Sequence, residues 1–84
     1  MEHMLTDKEK ELFLDIADDE YSNGEEEDSC PWSWSVVGGS KSRAGVLSSL
    51  VKKGFVGCEG EGRDASCWYT DAGKVLFRQL RSET

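Results

Sequence analysis

The stretch LSSLVKKGFVGCEGEGRDASCWYT, residues 47–70, changes conformational preference three times and leaves the chain few ways to fold. Leu47, Leu50 and Val51 fall at helical spacing, and Lys52 and Lys53 place positive charge in the last turn, where it suits the helix dipole. Gly54 stops that helix, because glycine accepts the left-handed conformation of a helix terminus without steric cost. Phe55 to Cys58 then predicts a strand, Gly60-Glu61-Gly62-Arg63-Asp64 a glycine-rich turn, and Ser66 to Tyr69 the returning strand. Thr70 caps a final helix with Asp71 in its first turn, lined by Ala72, Leu76, Phe77 and Leu80, with Arg78 and Arg81 near its end. The C-terminal half is therefore helix, hairpin, helix.

Upstream, Thr6-Asp7-Lys8-Glu9 is a capping box, and Leu12, Phe13, Ile16 and Ala17 form one apolar stripe. Tyr21 is expected to close the stripe before Ser22-Asn23-Gly24 ends the helix. Glu25, Glu26, Glu27 and Asp28 read either as a solvated connector or as a patch for a basic surface. In CPWSWSVVGGS, residues 30–40, Trp32, Trp34 and Val36 alternate with serines, which favours a short strand over a helical turn begun at Pro31. The two tryptophans are expected in the core rather than on a base-stacking platform. Ser40 or Ser42 caps the next helix, whose buried stripe is expected to be Ala44, Leu47, Leu50 and Val51. Gly45 inside that helix costs about 1 kcal/mol relative to alanine and requires a close-approach or packing reason.

A chain of 84 residues, 37% apolar, supports one small α+β domain and little more. Its longest apolar runs are only a few residues, so no membrane span is expected, and the charged N-terminus does not resemble a signal peptide. Cys30, Cys58 and Cys67 lack metal-ligand spacing and predict reduced thiols in a cytoplasmic protein, with Cys58 and Cys67 facing each other across the hairpin as the alternative. With His3 as its single histidine and no phosphate loop, the sequence predicts no enzyme, catalytic residue, metal or cofactor. The net charge of -7 is unevenly spread: residues 1–28 carry -10 and residues 29–84 carry +3. The two parts thus have separate electrostatic characters.

The segments VLSSLVKKGFV (46–56) and YTDAGKVLF (69–77) carry a family resemblance. A helix ending in L-x-x-K-G-apolar, a wing, and a T-x-x-G helix opening resemble the winged helix-turn-helix of MarR-like regulators and small phage or prophage DNA-binding proteins. The resemblance covers about residues 40–80. It implies a single winged-helix domain over 1–84: an acidic first helix and loop at 1–28, a recognition helix at about 40–53, a wing at about 55–69 and a C-terminal helix at about 70–82. Three helices and a two- or three-stranded wing are expected. In such a module the recognition helix enters the major groove. The expected contacts are Lys41, Ser42, Arg43, Val46 and Ser49, with Lys52 and Lys53 on phosphates and Arg63 on the wing. The implied function is sequence-specific binding of double-stranded DNA by a transcriptional regulator of phage or bacterial origin, as a homodimer. The alternative is an acidic interaction module, an adaptor or DNA mimic, meeting a basic protein through Glu25, Glu26, Glu27 and Asp28.

Overall fold

The computed structural model describes residues 5–22 and 24–82. It is an α+β fold of four helices and one two-stranded antiparallel hairpin. The helices are α1 (Asp7–Asp18), α2 (Ser33–Val37), α3 (Lys41–Lys52) and α4 (Asp71–Ser82); the strands are β1 (Val56–Glu59) and β2 (Ser66–Tyr69). Short 3-10 turns occupy Glu26–Asp28 and Gly62–Asp64. None of the described helices is long and apolar enough to cross a membrane.

The capping box forms as read: Thr6 Oγ1 accepts from the Glu9 amide at 3.2 Å, and Glu9 Oε1 accepts from the Thr6 amide at 2.8 Å. Helix α1 ends at Asp18, earlier than expected, and Tyr21 lies outside it with its amide donating to the Asp19 carboxylate. Tyr21 is half exposed rather than part of the stripe. Of the expected terminator, Asn23 lies outside the described residues.

Residues 30–40 combine the two conformations that their sequence allows. Trp32 is extended and bridges Ser66, with the Ser33 amide on Ala65 O at 2.9 Å and the Cys67 amide on Pro31 O at 3.1 Å. Helix follows at once from Ser33 and stops at Gly38, whose φ of 63° is left-handed. The expected strand is thus one bridge, and a fourth helix takes its place. Because a helix carries side chains round its axis, the Trp/Ser alternation does not divide the segment into buried and exposed faces. Val36 is buried, whereas Trp32 and Trp34 are 38% and 44% exposed, so neither is a core residue.

Helix α3 is capped by Ser40, not Ser42, through a 3.3 Å bond from the Arg43 amide. Its C-terminus closes through the left-handed Gly54, with the Gly54 amide on Val51 O and the Phe55 amide on Leu50 O. The hairpin pairs Val56 with Tyr69, Gly57 with Trp68, Cys58 with Cys67 and Glu59 with Ser66. Thr70 then bolts α4 to the end of α3. Its amide donates to Phe55 O at 3.2 Å, its hydroxyl donates to Gly54 O at 2.6 Å, and its Oγ1 accepts from the Gly73 amide at 3.1 Å.

The core lies between α1, α3, the hairpin and α4. Tyr69 is its aromatic hinge, with ring centroids 4.7 Å from Phe13 and 5.1 Å from Phe77. Leu12, Ile16, Leu47, Leu50, Val56, Leu76 and Leu80 surround these rings. Burial of this set is the dominant favourable contribution to folding. The Tyr69 hydroxyl is satisfied by donating to the Phe13 carbonyl.

Candidate functional site

Helix α3 is rotated relative to the expected stripe. Leu47 and Leu50 are buried, but Ala44 is exposed and Val51 is 39% exposed. Arg43, Val46 and Ser49 are partly buried instead, on the side that meets α1. Polar residues can occupy that seam because α1 supplies their counterparts. The Arg43 guanidinium donates to Asp15 at 2.8 Å and to Val36 O at 3.0 Å, with Glu11 4.0 Å away. At the other end Glu9, only 4% exposed, accepts from Lys53 Nζ at 2.8 Å and from Ser49 Oγ at 2.6 Å. These hydrogen bonds hold the Glu9 carboxyl down at about 2 against the cost of burial.

The eight anticipated DNA contacts therefore divide. Arg43, Ser49 and Lys53 turn their polar groups to α1, and Val46 is half-buried against the core. Lys41, Ser42, Lys52 and Arg63 are exposed. Three further bases are held by acids of the same chain: Lys74 by Asp28 at 3.5 Å, Arg78 by Glu27 at 2.6 Å and Arg81 by Asp18 at 3.5 Å. Arg81 also lies over the Phe77 ring, 5.0 Å from its centroid. Among the described residues from 29 onward, the bases outside these ion pairs are Lys41, Lys52 and Arg63.

The acidic run changes in the same way. Glu27 and Asp28 are engaged by α4, and the Arg78 guanidinium holds the Glu27 carboxyl below its ordinary value. Glu25 and Glu26 remain exposed.

The exposed residues of α3 are Lys41, Ser42, Ala44, Gly45, Ser48, Val51 and Lys52, and of these Lys41, Ala44, Gly45, Ser48 and Lys52 share one helical face. A Cβ added at Gly45 would meet nothing within 4 Å, so no contact inside the chain explains this glycine. Ala44 and Ser48 are absent from the contacts that the sequence predicts because apolar periodicity places Ala44 in the core, although Gly45 marks this face. Replacing Gly45 with alanine should stabilise the protein by about 1 kcal/mol, because the helix gains propensity and loses no packing. Urea unfolding checks this, and a loss of stability would show that Gly45 has an internal structural role.

Arg63, on the hairpin tip, borders an open groove formed with Tyr21, Trp34, Gly38 and Gly39. The tyrosine and tryptophan rings lie 5.4 Å apart, at 48° to each other. The groove thus lies beside the α2–α3 turn, at the end of α3 that carries Lys41. Among the described residues, no group of three or more His, Cys, Asp or Glu side chains is arranged to hold a metal ion. Comparison with protein-family models, with curated proteins and with solved structures gives no match.

Proposed function

We propose that the chain is a double-stranded DNA-binding protein of winged-helix type that presents the outer face of α3 to the major groove. The element order supports this reading. Helix α1, one extended residue, the short α2, a Gly38-Gly39 turn, α3, a hairpin and α4 follow one another as in that module, and the Trp32–Ser66 bridge lays a third extended segment beside β2.

The observation that carries the proposal is the face left by internal pairing: Lys41 and Lys52 frame Ala44, Gly45 and Ser48. Eleven residue steps at 1.5 Å put the two lysines about 16 Å apart along the axis. The major groove is about 12 Å wide, so both ammonium groups reach phosphates on its rims while the small residues approach the base edges. Arg63 adds a backbone or minor-groove contact. Of the α1 carboxylates, Asp15 is paired with Arg43 and Glu9 with Lys53, which neutralises them in part. At physiological salt, screening over about 8 Å weakens what remains of their repulsion. A homodimer would extend the short site that one recognition helix can read.

In a fluorescence anisotropy titration with mixed genomic fragments at two salt concentrations, the chain should bind more tightly at low salt. Lys41→Ala/Lys52→Ala should weaken binding by roughly tenfold and reduce the salt slope by about 2, one phosphate contact per lysine. Absence of binding at low salt would sink the proposal. The second reading, an acidic module for a basic protein, is favoured by the exposure of Glu25 and Glu26. It requires a partner whose binding is lost in Glu25→Gln/Glu26→Gln and unchanged in the lysine variant.

A further inference from the structure

We propose that Cys58 and Cys67 form a peroxide-responsive dithiol site that closes to a disulfide across the hairpin. The two residues are direct partners in the β1–β2 register. The Cys67 amide points away from β1, since it donates to Pro31 O at 3.1 Å. In a strand the amide and carbonyl of one residue point the same way, so Cys58 and Cys67 are a non-hydrogen-bonded pair. Such pairs bring Cα atoms to about 4.5 Å with both side chains on one face, within the separation that a disulfide spans.

The two thiols differ in environment as an attacking and a resolving thiol should. Cys58 is exposed, while Cys67 is fully buried beside it. The neighbouring Cys67 thiol lowers the Cys58 thiol to about 7, and the same interaction with Cys58, together with burial and the Cys58 charge, pushes Cys67 up. Cys58 is therefore the accessible and more readily ionised thiol, and Cys67 its buried partner. Cys30 is a poorer competitor, because the Trp32–Ser66 bridge sets Pro31, rather than Cys30, opposite Cys67.

With hydrogen peroxide or an alkyl hydroperoxide as oxidant, the Cys58 thiolate attacks the terminal oxygen and the O–O bond breaks. This gives a sulfenic acid at Cys58 and releases water or an alcohol after protonation. The Cys67 sulfur then attacks the Cys58 sulfur, the S–S bond forms and the S–O bond breaks. The Cys67 proton leaves with the hydroxide as water, so two thiols are oxidised and one peroxide is reduced. The new bond would cross-link the hairpin one residue pair below the turn that carries Arg63.

The three cysteines fall in different tryptic peptides, 11–41, 54–63 and 64–74, which makes the linkage directly readable. After brief treatment of the full chain with hydrogen peroxide, mass spectrometry should show the intact protein lighter by two hydrogens. A non-reducing digest should show 54–63 joined to 64–74. Cys30→Ser should form the same link at a rate within about twofold of the wild type, and Cys58→Ser should form none. The exposed position of Cys58 keeps that variant informative even if a change at buried Cys67 impairs folding. Linkage through 11–41, or Cys58 oxidised to sulfinic acid without any link, would overturn the proposal.

Discussion

Gly73→Ala is expected to destabilise the protein by about 3 kcal/mol, seen as a lower urea midpoint with an unchanged slope. Gly73 sits in the first turn of α4, where a Cβ would overlap the carbonyl oxygen of Phe55. That carbonyl cannot simply swing aside, because it accepts the Thr70 amide, and Thr70 also holds Gly54 O and the Gly73 amide. The clash is thus between backbones, and relief requires lifting α4 from the end of α3. Lifting it would loosen Leu76, Phe77 and Leu80, which are almost fully buried. Alanine's better helix propensity offsets only about 1 kcal/mol. For 84 residues, a typical total of about 4–13 kcal/mol makes this loss severe. The same substitution at Gly45 has the opposite expected sign, so the two variants form an internally controlled pair. A Gly73→Ala protein as stable as the wild type would mean that α4 does not dock on Phe55 in this way.

Local signals were legible in the sequence and long-range polar contacts were not. The Thr6–Glu9 box and the Gly54 stop depend on residues within a turn of one another, and both appear where the pattern places them. The hairpin follows from the same punctuation. The orientation of α3 does not, because periodicity counts apolar side chains and assumes that they face inward. Here Arg43 and Lys53 are drawn inward by acids 28 and 44 positions away. With those polar groups in the seam, Ala44 and Val51 are left outside. The candidate site shifts for the same reason: Lys41, Gly45 and Lys52 lie on the outward face, and Ala44 and Ser48 stand there where the sequence predicts Arg43 and Ser49. Trp34 shows the converse error, where a real alternation of residue types belongs to a helix that does not use it.

Glu9→Ala should cost about 2–3 kcal/mol at neutral pH. Glu9 performs three tasks with one buried carboxylate: it closes the α1 cap on the Thr6 amide, accepts the Ser49 hydroxyl and pairs with Lys53. Removing one partner of a buried pair costs more than the pair is worth, since the other polar groups lose their acceptor. The Lys53 side chain is 35% exposed and can partly recover water, which keeps the loss below that of a fully buried pair. The pH dependence separates this contribution from lost packing. The folded carboxyl is held at about 2, against an ordinary 4.5, so the folded state binds fewer protons between those values. Its stabilisation is complete above about pH 4.5 and disappears as the pH falls toward 2. Melting temperatures of wild type and Glu9→Ala, compared from neutral pH downward, should therefore converge through this interval. A gap that stays constant would assign the loss to packing rather than to the carboxylate. Because Glu9 bonds Ser49 and Lys53 and makes no bond to Lys41, Ser48 or Lys52, DNA affinity per folded molecule should not change. A variant that loses stability but retains binding would separate the seam that orients α3 from the face proposed to read DNA.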